Sequence, residues 1–128
     1  MVCMLGKNGC GKSTLLRTLG GIQPPLSGTI RMLGEEVSKI STRQRAQLLS
    51  IVLTDRVENS NMTVWDIVSL GRFPHNNWLG QLSVKDRKLV TEAIHKVKLD
   101  DKTHTHLNCL SDGERQRAMI ARALAQDT

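Results

Sequence analysis

The sequence predicts an α/β fold in which a helical segment interrupts a core of alternating strands and helices. Residues 2–5 are apolar and lead directly into a glycine-rich loop, as a buried parallel strand does. Residues 12–19 then suit a helix, which Gly20 and Gly21 would end. From about residue 63 to residue 106 the helix signals predominate. These observations predict an α/β core that carries a helical subdomain.

Further elements follow from local patterns. Residues 29–33 and 51–53 are candidate strands, the second of them buried. Capping boxes, in which a side chain three residues on reaches back to a serine or threonine, predict helix starts at Ser41–Gln44, Thr63–Asp66, Ser83–Asp86 and Ser111–Glu114. Apolar stripes at helical spacing follow the last two boxes, at Val90, Ala93, Ile94 and Val97 and at Ile120, Ala121, Leu124 and Ala125.

Composition excludes several classes of protein. The chain has 128 residues, of which 39% are hydrophobic and 23% charged, and no apolar run reaches the roughly 20 residues that a membrane span needs. We therefore expect a cytoplasmic protein. The net charge is +6, but the basic residues are scattered and only Trp65, Phe73 and Trp78 are aromatic. A platform for stacking nucleic-acid bases is therefore not expected.

The loop from Gly6 to Ser13 carries the clearest chemistry, because it fits the pattern Gly-x4-Gly-Lys-Ser of phosphate-binding loops. Its glycines allow successive N–H groups to surround a phosphate, and the following helix adds positive charge at its N-terminus. Lys12 can reach the β- and γ-phosphates and Ser13 can bind Mg²⁺. The predicted binding residues for ATP and Mg²⁺ are Asn8, Gly9, Cys10, Gly11, Lys12, Ser13 and Thr14, with Ser13 as the metal ligand.

Cys10 has two interpretations. Lys12 and a helix N-terminus nearby could make its thiol reactive, or the residue simply fills the loop. Three cysteines in an intracellular chain, without metal-ligand spacing, are expected to be reduced.

A second motif, Leu110-Ser111-Asp112-Gly113-Glu114-Arg115-Gln116-Arg117, lies about a hundred residues after the loop. Taken alone, it is a capping box with a glycine that lets a phosphate approach the helix N-terminus. Together with the loop it resembles the signature motif of ATP-binding-cassette (ABC) ATPases, Leu-Ser-Gly-Gly-Gln. The resemblance covers the whole chain and implies a partial P-loop NTPase (RecA-like) core with a helical ABC subdomain. We accordingly divide the chain into residues 1–62 of the core, the helical subdomain 63–106, and 107–128 with the signature motif and its helix.

The resemblance also implies a function. In this family the signature residues Ser111, Asp112, Gly113 and Glu114 would meet the γ-phosphate held by a second subunit, in a head-to-tail homodimer. Asp112 and Glu114 replace Gly and Gln, and their negative charge should weaken the phosphate site unless the side chains point away or pair with Arg115 or Arg117. Such variants, and residues 63–82, resemble the branch that imports iron–siderophore complexes, haem or cobalamin. That branch implies membrane permease subunits as partners, a periplasmic binding protein acting indirectly, and a location on the inner face of the cell membrane.

Other family residues differ or are missing. Thr54 stands where the coupling loop usually begins with Gln. The family's Walker B Asp and Glu and its switch His are expected beyond Thr128, so we expect a fragment with no catalytic residue and no turnover of its own. The alternatives are a soluble P-loop ATPase of another class and an inactive truncated product that at most binds nucleotide.

Overall fold

The structure is a computed structural model that describes residues 2–52, 61–76 and 80–128. The chain forms two compact units, Met1–Arg45 and Ala46–Thr128. The division predicted from the sequence, with boundaries after residues 62 and 106, stays a prediction about the organisation of the family's fold.

The first unit begins with the glycine-rich loop and helix α1, Lys12–Leu19. A short hairpin follows, in which β1, Arg31–Met32, pairs antiparallel with β2, Glu35–Glu36. Helix α2, Thr42–Leu48, starts within this unit. Its capping box forms as predicted, because the Gln44 side chain accepts from the backbone and the hydroxyl of Ser41.

The strand predictions were wrong for two of the three segments. Residues 2–5 form no strand, and Val2 and Leu5 are 97% and 88% exposed. Ile51 and Val52 are likewise outside any strand, and Leu53 lies outside the described residues. A buried parallel strand needs neighbouring strands on which to hydrogen-bond. In the part of the chain that the structure describes, β1 and β2 form the only sheet.

The second unit has a helical core. Helices α3, Val64–Ser69, α4, Val84–Lys96, and α5, Asp112–Ala125, pack against one another. Short 3₁₀ helices connect them at Leu70–His75, Asp100–Lys102 and Leu107–Cys109. The largest side chains that are almost fully buried are all aliphatic: Val64, Val68, Val90, Ile94, Leu99 and Leu107. Their burial removes apolar surface from water and stabilises the unit.

The helix starts and the α4 face are confirmed. Thr63, Ser83 and Ser111 each cap their helix in a reciprocal box with Asp66, Asp86 and Glu114. The stripe predicted on α5 is only half right. Ala121 and Ala125 are buried, whereas Ile120 and Leu124 are 39% and 47% exposed, and Ala118 and Met119 take their place in the core.

A buried ion pair, with its hydrogen bonds, caps the C-terminal end of α5. The guanidinium of Arg72, a residue only 4% exposed, donates from Nε to Asp86 at 2.8 Å and from Nη1 to the carbonyl of Ala125 at 2.8 Å. A cation at a helix C-terminus satisfies carbonyls that lack helical partners and opposes the negative end of the helix dipole. Gln126 also holds this end of the helix in place, since its side-chain amide donates to the carbonyls of Ala46 and Leu49.

The capping carboxylates make the second unit sensitive to acid. Hydrogen bonds from Ser83, and then from Arg72, lower the pKa of Asp86 to about 2, and Thr63 lowers that of Asp66. Because these pKa values are below those of the unfolded chain, the stability they confer is present above about pH 4 and is lost as the pH falls toward 2.

We expect thermal unfolding followed by circular dichroism to show this loss between pH 4.5 and pH 2, on the order of 2 kcal/mol from Asp86 alone. The variant Ser83→Ala removes the hydrogen bond that lowers the pKa of Asp86 most and keeps the Arg72 pair, so it should flatten the pH dependence, whereas the exposed control Thr91→Ala should not. A midpoint that stays constant from pH 5 to pH 2 in the unsubstituted chain would contradict this account.

None of the helices among the described residues is both long enough and apolar enough to cross a membrane.

Candidate functional site

The glycine-rich loop is exposed and leads directly into α1. Gly9 and Gly11 have φ angles of 82° and 92°, in the left-handed region that glycine adopts without strain. The loop is held by a bond from the Cys10 N–H to the carbonyl of Lys7 at 3.3 Å. Helix α1 then begins at Lys12, and its first N–H groups have no helical acceptor. Such a helix N-terminus attracts anions.

The Lys12 side chain folds back over the loop. Its ammonium donates to the carbonyls of Gly6 and Lys7 at 2.7 and 2.8 Å, and its Nζ lies 3.9 Å from the Sγ of Cys10. The first turn of α1 contains no acidic residue. The loop therefore carries the positive charge of Lys12 and of the helix N-terminus, with no carboxylate in the first turn of α1 to neutralise it.

The remaining predicted loop residues are accessible. Asn8, Ser13 and Thr14 are exposed, so their side chains can be reached by a ligand. The residues that the structure describes contain no group of three or more His, Cys, Asp or Glu side chains that could hold a metal ion. Mg²⁺ usually keeps several waters and binds through one or two protein oxygens together with substrate phosphates. The hydroxyl of Ser13, the predicted metal ligand, is exposed and could supply one such oxygen.

The three cysteines are free and exposed. Cys10 is thus accessible, as a reactive thiol must be.

The signature residues form the N-terminus of α5 in the second unit. Ser111 caps the helix, since its hydroxyl accepts from the N–H of Glu114 at 3.3 Å. A side chain at Gly113 would meet no atom within 4 Å, so the surface above this glycine is open. An anion can therefore approach the first turn of α5 closely.

Both acidic residues that differ from the family's signature motif, Asp112 and Glu114, form ion pairs. Asp112 accepts from Arg115 Nη1 at 3.0 Å, which is one of the pairings proposed from the sequence. Glu114 pairs instead with Lys102, and its carboxylate also accepts from the backbone and hydroxyl of Ser111 at 2.8 Å each. The bond from Lys102, followed by those from Ser111, lowers the pKa of Glu114 to about 2. Glu114 is therefore ionised at neutral pH, and its charge is opposed by that of Lys102.

One predicted site residue, Thr54, is not among the residues that the structure describes. Its role in a coupling loop therefore stays a prediction. The loop belongs to the first unit and the signature residues to the second.

Two residues with clear roles were missed from the sequence. Neither Lys102 nor Arg72 was predicted to have a role, yet both bind carboxylates. Lys102 is 12 residues from its partner in the chain and Arg72 is 14 residues from its partner, so no local pattern signals these pairs.

Comparison with known proteins identifies the family. A profile of the ABC transporter family matches residues 1–128. The chain is 40% identical over 124 residues to a probable siderophore transport system ATP-binding protein, YusV of Bacillus subtilis, covering 97% of this chain and 45% of that protein. It is 34% identical over 125 residues to the ferric enterobactin transport ATP-binding protein FepC of Escherichia coli, covering 98% and 46%. The chain thus spans a little under half the length of these relatives.

A solved structure shows the same likeness. An inward-facing metal-chelate type ABC transporter superposes with a TM-score of 0.75 at 31% identity, over 96% of this chain and 44% of that one. The predicted fold class, a partial α/β P-loop core with a helical subdomain, is thereby confirmed. The alternative of a P-loop ATPase from another class is excluded, and the chain belongs to the ABC transporter family.

Proposed function

We propose that this chain is the phosphate-binding and signature portion of an importer's ATP-binding subunit, and that it takes part in uptake of an iron complex, haem or cobalamin. The observation that carries the proposal is the presence, in one chain, of a positively charged glycine loop and a capped helix with an open first turn. Relatives named for transport of siderophores, ferric enterobactin and iron(3+)-hydroxamate support the substrate class.

ATP and Mg²⁺ fit the loop by charge and by donor type. The N–H groups at the start of α1 would hold the β-phosphate, and Lys12 would leave the carbonyls of Gly6 and Lys7 to reach the γ-phosphate. Asn8, Gly9, Cys10 and Gly11 would supply the loop around the phosphates, and Thr14 would contact the α-phosphate. Mg²⁺ would reduce the negative charge of the β- and γ-phosphates.

Partners follow from the same proposal. Two subunits would associate head to tail, so that Ser111 and Gly113 of one meet the γ-phosphate held by the loop of the other. Membrane permease subunits would contact the loop after Thr54 and the helical segment 63–82, in which Leu70 and Phe73 are 45% and 71% exposed. A periplasmic binding protein would deliver the substrate to the permease, and the subunit would lie on the inner face of the membrane.

The variant Ser111→Arg tests the proposal in the protein at its natural length. A guanidinium at the helix cap should block approach of a phosphate, so uptake of radioactive ferric siderophore by the cells should fall to background. The control Thr91→Arg places the same side chain on an exposed position of α4 and should leave uptake unchanged. Normal uptake with Ser111→Arg would refute the importer assignment.

The 128 residues alone should bind ATP without hydrolysing it. Phosphoryl transfer requires a group that positions the attacking water, and the family places this carboxylate in an Asp-Glu pair that the sequence does not contain. We expect phosphate release from Mg²⁺-ATP to equal that of the Lys12→Ala variant of the same chain. Release several-fold above that of the variant would show that these residues already contain a catalytic base.

A further inference from the structure

Lys102 and Glu114 form an ion pair beside the signature residues. Lys102 Nζ donates to Oε1 of Glu114, and the other carboxylate oxygen, Oε2, accepts from the backbone N–H and the hydroxyl of Ser111 at 2.8 Å each. The Lys102 and Glu114 side chains are 35% and 18% exposed. Both oxygens of the carboxylate are therefore occupied, and the group is turned back onto the helix cap.

The position of Lys102 is set by the backbone around it. Its N–H donates to the carbonyl of Leu99 at 3.0 Å, and its own carbonyl accepts from Thr105 at 2.9 Å. Leu99 is 1% exposed and belongs to the core of the second unit. The lysine thus extends from a turn that is anchored in the core, so its ammonium is directed at the N-terminus of α5.

Lys102 is the cation that pairs with Glu114, because the neighbouring Arg115 has other partners. Arg115, which could have served, is 3.0 Å from Asp112 and also donates to the carbonyls of Leu107 and Leu110. Asp101 and Arg117 are close enough to act on Lys102 electrostatically, with opposite signs. Their effects on the lysine therefore oppose each other.

We propose that Lys102 is a positioning residue of the signature site, which holds the Glu114 carboxylate on the Ser111 cap and cancels its charge so that a phosphate can approach Ser111 and Gly113. The inference rests on the proposed function, in which these residues meet the γ-phosphate of an ATP held by a second subunit. It explains how an acidic side chain is tolerated at a position that must receive an anion.

The hydrogen bonds of Glu114 suggest what would change when a phosphate reaches Ser111. The Ser111 hydroxyl donates to Glu114 and could rotate to donate to the phosphate instead. Glu114 would then keep the bonds from Lys102 and from the Ser111 N–H, so its carboxylate would stay in place. Without Lys102, the carboxylate would repel the phosphate and would compete with it for the hydroxyl proton.

The test measures two quantities on the protein at its natural length. Sedimentation velocity measures self-association in Mg²⁺ and the ATP analogue AMP-PNP, and fluorescence of a labelled ATP analogue measures binding to the loop. The variant Lys102→Met should weaken self-association about tenfold for each site, which corresponds to about 1.4 kcal/mol. Binding to the loop should be unchanged, whereas a folding defect would lower both quantities.

Two variants complete the design. The double variant Lys102→Met/Glu114→Gln removes the carboxylate charge and keeps a side chain that can cap Ser111, so it should restore self-association. The control Lys96→Met removes a charge from an exposed position in the last turn of α4 and should have no effect.

The outcomes separate the inference from the proposed function. Self-association of Lys102→Met equal to that of the unsubstituted protein, or a failure of Glu114→Gln to rescue it, overturns the role of Lys102 alone. If the unsubstituted protein shows no association that depends on AMP-PNP, the proposed function fails and the inference fails with it.

Discussion

Replacing Arg72 by methionine is expected to unfold the second unit at temperatures where the unsubstituted chain is stable. The change leaves the buried Asp86 carboxylate without its cation and the carbonyl of Ala125 without its donor. Removing one partner of a buried ion pair costs about 3–5 kcal/mol, a large part of the 5–15 kcal/mol that stabilises a typical domain. The reason is that the remaining charge is not solvated.

Thermal unfolding followed by circular dichroism measures this effect. For a unit of this size, each kcal/mol should lower the midpoint by about 4–8 °C. The matched control is Arg87→Met, which makes the same change on the exposed face of α4. Equal midpoints for the two variants would show that the buried network contributes nothing.

The variant Lys12→Ala is expected to weaken ATP binding about a hundredfold. Hydrogen bonds to charged groups contribute about 1.5–3 kcal/mol each, and the lysine ammonium would interact with both the β- and the γ-phosphate. Its present acceptors are carbonyls of an exposed loop, so its loss should change thermal stability little. A fall in affinity without a fall in stability is therefore the expected result.

Isothermal titration with Mg²⁺-ATP measures this change. The control Lys39→Ala removes a cation from the same unit, where it forms a 3.0 Å surface pair with Glu36 that should contribute little. If both variants lose affinity equally, net charge rather than the loop geometry explains binding.

Local features of this chain could be predicted from its sequence. A capping box involves residues three positions apart, so Ser41, Thr63, Ser83 and Ser111 indicated their helix starts without knowledge of the rest of the fold. The glycine loop was recognisable for the same reason, because its chemistry lies within eight consecutive residues.

Features that depend on distant residues could not be predicted. The segments 2–5 and 51–52 have the apolar character of buried strands, but a strand forms only beside a partner. Lys102 and Arg72 were missed because their partners are chosen by the packing of α3, α4 and α5. The alternation of buried and exposed positions on α5 is likewise set by its neighbours, which cover Ala118 and Met119 rather than Ile120 and Leu124.

The central claim is that the loop from Gly6 to Ser13 holds the phosphates of ATP. The most direct test compares the affinities of nucleotides that differ only in their number of phosphates. Titration of the protein with ATP, ADP and AMP in the presence of Mg²⁺ compares ligands that share the adenosine. We expect ATP and ADP to bind at one site per chain and AMP to bind at least about a hundredfold more weakly, because it lacks the β-phosphate at the centre of the loop. AMP binding as tight as that of ATP, or no binding of ATP, would contradict the account.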